Sequence, residues 1–373
     1  MPSHHDTPYS VLIVDDSAVV RGLMTRFLTS DPMIEVVASA ASGAMALSIV
    51  DKYNPDVIIL DIEMPVMDGM TALPLLLKKS PHSKVIIASS LSRRNAEISL
   101  KALELGASDY LPKPSSTEGK DALQGFHREL LEKVKALAAT SRQKSGGTVE
   151  PRPRPADTER KQPPIKTTGI ITPSGMRLPS CTPRVLAIGS STGGPQALFT
   201  LFSGIKGKLK NVPIFLTQHM PPTFTAILAE HLQNASGRPC AEAKDGETVQ
   251  PGHVYVAPGD YHMLVQEHAS GGIVRLSKDA PENFCRPAVD PMLRSLSTVY
   301  GKHMLVAILT GMGQDGMLGA KNITSAGGTV IAQDEATSVV WGMPRAIAEQ
   351  KLASAVLPLP EIAPYILKAF GES

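Results

Sequence analysis

The chain has 373 residues, 42% hydrophobic and 19% charged, with a formal net charge of +2. This length fits two domains of about 100–200 residues each, and the composition excludes a wholly disordered or fibrous chain. So small a net charge gives no general basis for nucleic-acid binding, and three cysteines (Cys181, Cys240, Cys285) are too few for a disulfide framework.

Such sparse cysteine use fits a reducing compartment. No apolar run reaches the roughly 18–20 residues of a membrane span, so no direct membrane insertion is expected. Met1–Ser10 carries two histidines and two prolines without an apolar core, unlike a secretory signal. The expectation is a cytoplasmic protein.

In chain order, VLIV (Val11–Val14) reads as a strand and Ala18–Leu28 as a helix. Ile34–Ala38, a helix near Gly43–Lys52 and the strand Val57–Leu60 follow. Next come a helix over Gly69–Lys79 interrupted by Pro74, the strand Lys84–Ala88 and a helix to Leu105. A short strand (Asp109–Leu111) and a helix to about Ala139 close the half. Continuous apolar strands with helical crossovers predict a doubly wound α/β domain around a five-stranded parallel sheet, flavodoxin-like, over residues 9–135.

Residues 136–183 read as a flexible linker, Pro-rich and basic and nearly free of large apolar groups. Strand–helix alternation then returns, with buried parallel strands at Val185–Gly189, Pro213–Thr217 and Met304–Thr310. His253–Ala257, His262–Val265 and Ile273–Leu276 are expected to form a small antiparallel insert. Helices are expected after Pro195, Thr223, Ala288 and Gly316. The prediction is a second, larger α/β domain, doubly wound, over residues 184–370.

Ligands of open α/β sheets bind beyond the carboxyl ends of the strands. In the first half those ends carry Asp15 and Asp16, then Asp61, then Ser89 and Ser90, then Lys113. Three converging carboxylates repel one another unless a cation joins them, and hard oxygen ligands suit Mg²⁺. One carboxylate is then a candidate nucleophile toward a phosphoryl group, with Lys113 neutralising its oxygens and Ser89 bonding to them after transfer. The DD pair, D-x-x-M-P-x-x-D-G and K-P together resemble the receiver domain of two-component response regulators. The resemblance implies phosphorylation at Asp61 by a histidine kinase. It also implies Mg²⁺ held by Asp15, Asp16, Asp61 and the Glu63 main-chain carbonyl, with Ser89 and Tyr110 as switch positions.

The second half opens with VLAIGSSTGGPQAL, a strand running through a small-residue turn into a helix. Such a turn exposes N–H groups, so it could cradle a phosphate or present a serine beside an oxyanion hole. Gly189–Gly193 matches G-x-S-x-G, with Ser191 at its centre and Ser190 as rival. His219 directly follows a strand, which makes it the best candidate base among ten histidines. Asp315, in GMGQDG after another strand, is the candidate orienting carboxylate. The order Ser, His, Asp differs from that of α/β-hydrolases, so that fold is not implied. Cys285, beside Arg286, reads as a small buried thiol.

IGSSTGGPQAL, TQHMPPTFT, VYVAPGDYHM, RPAVDPML, LTGMGQDGM and QDEATSVVWGMP resemble the catalytic domain of the CheB family, the chemotaxis protein-glutamate methylesterases and glutamine deamidases. That resemblance implies hydrolysis of γ-glutamyl methyl esters on the cytoplasmic helices of chemoreceptors, and deamidation of receptor glutamines. It implies Ser191 as nucleophile, His219 as base, Asp315 as its orienter, and Thr192 and Met312 beside the oxyanion. The esterase step needs no metal. A binding protein that keeps the fold without catalysis is a rival reading, opposed by the presence of all three triad residues. A regulator acting on DNA is another, opposed by the lack of a helix-turn-helix or basic stretch.

Overall fold

A computed structural model describes residues 7–113, 120–145, 177–268 and 272–372. The first half runs β1 (Tyr9–Val14), α1 (Ala18–Leu28), β2 (Ile34–Ala40), α2 (Gly43–Tyr53), β3 (Val57–Asp61), α3 (Gly69–Lys79), β4 (Lys84–Ser89), α4 (Arg93–Glu104), β5 (Asp109–Pro112) and α5 (Lys120–Ser145). Its five strands are all parallel, in the order β2-β1-β3-β4-β5. Every residue of β3 is buried, because helices cover both faces of the sheet. Ser17, Ser42, Asp68 and Ser92 start the first four helices, each side-chain oxygen accepting a backbone N–H of the first turn. Pro74 lies inside α3 but on its exposed side, where a missing N–H costs least.

The second half runs β6 (Val185–Ser190), α6 (Gly194–Gly204), β7 (Ile214–Gln218), α7 (Phe224–Ser236), β8 (Cys240–Glu242), β9 (Val254–Val256), β10 (His262–Gln266) and β11 (Ile273–Ser277). It continues through α8 (Val289–Tyr300), β12 (Met304–Ile308), α9 (Met317–Ser325), β13 (Thr329–Gln333), α10 (Met343–Glu349), β14 (Ala355–Leu357) and α11 (Leu359–Ala369). Seven strands form one parallel sheet, ordered β14-β13-β12-β6-β7-β9-β8.

The expected antiparallel insert needs one correction. Its first member, around His253–Ala257, is β9, which pairs in parallel with β7 and β8 inside the main sheet. All three residues of β9 are buried, as an interior parallel strand requires, and three residues are too few to show that periodicity in sequence. Only β10 and β11 form the antiparallel pair among the described strands. β8, β13 and β14 are strands that the sequence reading did not single out.

α5 also runs further than expected, through Ser145 rather than about Ala139. Tertiary contacts hold its last turns. Arg142 pairs with Asp56 at 2.8 Å, and the Thr140 hydroxyl donates to the Val339 carbonyl at 3.1 Å. The rest of the proline-rich stretch, residues 146–176, lies outside the described residues.

The two halves pack through α4 against α6 and α7. The Gln196 amide donates to the Leu103 carbonyl at 2.7 Å and also to that of Ala107. Arg93 pairs with Glu230 at 2.8 Å, and Glu104 with His231 at 3.0 Å. Tyr110 stacks on Phe224, ring centroids 4.6 Å apart and planes 15° from parallel.

Candidate active site

β6, β7 and β12 are neighbours in the sheet, and β6 lies where the strand order reverses. Loops leaving such adjacent carboxyl ends diverge to opposite faces and leave a crevice between them. The loops after these three strands carry Ser191, His219 and Asp315, which line one cleft of about 790 Å³.

The turn after β6 separates the two serines. Ser190 is fully buried and its hydroxyl donates to the Gln218 side-chain oxygen at 2.7 Å. Ser191 faces the cleft. Gly193, at φ 75°, adopts a left-handed conformation that an L side chain strains to reach. A Cβ on Gly194 would lie 1.9 Å from the Gln218 oxygen, so the helix start closes tightly only with glycine there. Gln218 was not singled out in the sequence. Its amide nitrogen donates to the Ser191 carbonyl at 2.9 Å, tying the turn after β6 to the end of β7.

His219 Nε2 lies 2.7 Å from Asp315 Oδ2. Asp315 is 1% exposed, and the same oxygen accepts the Val289 N–H at 2.6 Å. Its other oxygen accepts from Gly316 N at 2.9 Å, Asp290 N at 3.1 Å and the Asn283 amide at 3.1 Å. Burial alone would raise Asp315, but His219 and these donors hold it below the usual carboxylate range. Burial alone would lower His219, yet the neighbouring Cys285 sulfur and Asp315 push it up to about 10.

The nitrogen left for a serine is therefore Nδ1. Cys285 Sγ stands 3.4 Å from it. Cys285 is only partly buried and lines the cleft, so the expected small buried thiol is instead a neighbour of the candidate base. The residue between Arg286 and Phe284 carries no sequence signal of this, because the contact spans 66 residues.

Thr192 and Met312 both line the cleft beside Ser191. The opposite wall belongs to the first half, with Asp109 and Tyr110 of β5 and Arg128 and Lys133 of α5. Burial pushes the Asp109 carboxyl up, while Lys133 and the Thr192 side chain favour its charged form. Met312 packs with Val339 and Val340 against the apolar cluster under α5.

At the carboxyl edge of the first sheet, Asp15, Asp16 and Asp61 each place an oxygen within 4.8 Å of the others. Lys113 Nζ bridges two of them, 2.6 Å from Asp15 and 2.8 Å from Asp61. Burial raises the Asp61 carboxyl, opposed by Lys113 and reinforced by Asp15. Three hard oxygen donors gathered at one sheet edge fit a divalent cation such as Mg²⁺. Glu63 lines a hollow with Met64 and Asp68. The Ser89 hydroxyl pairs with the Ser99 hydroxyl at 2.8 Å. Tyr110, 3% exposed, points into the contact between the two halves.

No helix among the described residues is long and apolar enough to cross a membrane. Residues 11–123 match the response regulator receiver domain family, and residues 186–366 match the CheB methylesterase family. The chain is 52% identical to the protein-glutamate methylesterase/protein-glutamine glutaminase of group 2 operon from Rhodospirillum centenum, across 98% of this chain and 95% of that relative. It is 53% identical to protein-glutamate methylesterase/protein-glutamine glutaminase 1 of Rhodospirillum rubrum, across 97% of this chain and 95% of that relative. The crystal structure of the Thermotoga maritima CheB methylesterase catalytic domain is 41% identical, with a TM-score of 0.48, and covers 50% of this chain and 99% of its own. Matched along nearly its whole length, with a receiver half ahead of a methylesterase half, the chain belongs to the protein-glutamate methylesterase/protein-glutamine glutaminase (CheB) family.

Proposed function

We propose that this protein demethylates γ-glutamyl methyl esters on the cytoplasmic helices of chemoreceptors, and deamidates receptor glutamines, under control of phosphorylation at Asp61. The convergence of Ser191, His219 and Asp315 on one cleft from three adjacent strand ends carries this reading. Ser191 Oγ attacks the acyl carbon while His219 Nδ1 takes its proton. Asp315, bonded to Nε2, fixes the tautomer and stabilises the imidazolium. The proton passes to the leaving methoxide or amine, releasing methanol or ammonia. A water deprotonated by His219 then attacks the acyl-serine, and the carboxylate is freed. Thr192 and Met312 would flank the oxyanion, a reading supported by their both lining the cleft.

At the receiver, an Asp61 oxygen attacks the phosphorus of a phosphohistidine, the P–N bond breaks, and the electron pair returns to the donor imidazole. Mg²⁺ held by Asp15, Asp16 and Asp61, with the Glu63 carbonyl, supplies charge neutralisation for the phosphoryl oxygens when bound. Lys113, already between Asp15 and Asp61, meets one of those oxygens. Ser89 leaves Ser99 to bond another. Tyr110, stacked on Phe224, is the residue through which a change at β5 would reach the contact between the halves. In the packing described, the receiver forms one wall of the Ser191 cleft, which supports a closed resting state opened by phosphorylation.

The test is methanol release from methylated receptor membranes, with and without a small phosphodonor and Mg²⁺. Release should rise with phosphodonor, and Asp61→Asn should abolish that rise while leaving the basal rate. Folded protein that releases no methanol under any of these conditions, across several receptors, would favour the binding-protein reading.

A further inference from the structure

The geometry points to Asn283 as a positioning residue for the His219–Asp315 pair, acting from a tight turn that reaches both members at once. This inference rests on the functional reading above. It adds a residue that neither the motifs nor the three strand ends single out.

Asp315 receives five hydrogen bonds. One comes from His219 and three from backbone N–H groups. The fifth comes from Asn283 Nδ2, at 3.1 Å on Oδ1. The same nitrogen lies 3.3 Å from Oδ2 of Asp290, which is itself 1% exposed. One NH₂ group thus stands between two buried carboxylates. Asp290 Oδ1 is held separately by Gly319 N at 2.6 Å. Burial pushes the Asp290 carboxyl up to about 6, with the Asp315 charge adding to the rise. Two carboxylates this close repel in a low-dielectric site, and a shared donor offsets part of that repulsion.

The turn explains how Asn283 arrives there. Glu282 and Cys285 exchange backbone hydrogen bonds, Glu282 N to Cys285 O at 3.1 Å and Cys285 N to Glu282 O at 2.9 Å. The two corner residues both lie in the left-handed region, Asn283 at φ 51° and Phe284 at φ 62°. A two-residue hairpin of type I′ demands positive φ at both corners. Asparagine tolerates this conformation, whereas a phenylalanine there is strained. The outcome places Asn283 on Asp315 and Cys285 Sγ 3.4 Å from His219 Nδ1.

Charged and titratable groups around the imidazole come from four directions. Asp315 faces it directly, with Asp290 and Arg294 of α8 behind, the Arg294 charge acting on both carboxylates. Cys285 faces Nδ1 from the turn. Across the cleft stand Asp109 on β5 and Arg128, Glu129 and Lys133 on α5. The receiver groups are common to wild type and Asn283 variants, so differences between those proteins report the turn alone.

The amide presents positive hydrogens to the carboxylates. Its loss makes the site more negative and strengthens the hold on the His219 proton. The experiment uses the full-length chain as wild type, Asn283→Ala and Asn283→Asp. His219 is titrated directly by NMR of labelled imidazole, and the pH dependence of kcat/KM for methanol release is measured in parallel. Asn283→Ala should raise the His219 pKa by about 0.5 and Asn283→Asp by about 1 or more, since the latter adds a third carboxylate. The acid limb of the rate profile should move by the same amounts. At neutral pH kcat should fall about threefold in Asn283→Ala and about 10-fold or more in Asn283→Asp, with KM within about twofold. Asn283→Gly, which adopts the left-handed corner freely and likewise removes the amide, carries the test should the Ala variant fail to fold.

An unmoved His219 pKa in a folded Ala or Gly variant would overturn the proposal, even if the urea midpoint fell, because that is the signature of a structural role only. A moved pKa beside an unmoved rate profile would uphold the hold of Asn283 on the pair. It would instead fault the assignment of His219 as base.

Discussion

At the scale of single residues, neighbours in sequence hold opposite environments. Ser190 and Ser191 are chemically identical, yet one is sealed against Gln218 and the other faces the cleft. A strand alternates its side chains between faces, so consecutive hydroxyls at a strand end cannot both reach the same site. Ser191→Ala should lower turnover roughly 10⁴–10⁶-fold, as loss of a hydroxyl nucleophile does in other triads. Ser190→Ala should keep measurable catalysis and lose stability instead, by about 1–3 kcal/mol for the donor removed from Gln218. Turnover by the Ser191 variant within tenfold of wild type would move the nucleophile elsewhere. The choice between these serines was not legible in GSSTGG beyond the match of Ser191 to the elbow pattern. His219 and Asp315 were legible as strand-end residues of the right types. Asn283 and Cys285 were not, because nothing local marks a residue whose partner lies 32 or 66 positions away.

At the scale of elements, three of the contacts that join receiver and catalytic halves differ in physical weight. Gln196 sends one half-buried amide to the Leu103 and Ala107 carbonyls at the end of α4. Tyr110 stacks fully buried on Phe224. Arg93 and Glu230 pair in the open, with 61% and 54% of their side chains exposed. An exposed pair contributes about 0–1 kcal/mol, whereas each buried hydrogen bond contributes about 0.5–1.5 kcal/mol and leaves its partner unsatisfied when lost. Gln196→Ala should therefore raise esterase activity without phosphodonor by roughly fivefold or more, and Arg93→Ala by less than about twofold. A methanol-release assay on both variants checks the ranking, and the reverse order would mean that closure is electrostatic. The elements themselves followed largely from apolar runs and caps. β9 escaped because a three-residue buried strand shows neither alternation nor length, and the extra turns of α5 escaped because Arg142 and Thr140 are held by distant partners.

At the scale of the whole molecule, the cleft has walls from two domains, so its accessibility depends on how they meet. A fragment of residues 184–373 should release methanol without phosphodonor at a rate near that of the phosphorylated full chain. Equal stimulation of fragment and full chain by phosphodonor would remove the receiver from control of the cleft. The sequence by itself determined two α/β halves, the carboxylate cluster, and a serine, a histidine and an aspartate at strand ends. Those follow from local periodicity and from the rule that parallel strands present their carboxyl ends to one edge. Tertiary structure alone decided which strands are adjacent, which His219 nitrogen faces Asp315, where Ser89 and Tyr110 point, and that Asn283 stands between two carboxylates. Each of these depends on chain segments brought together by burial of apolar surface, a non-directional force that leaves no short-range mark of which residues it will join.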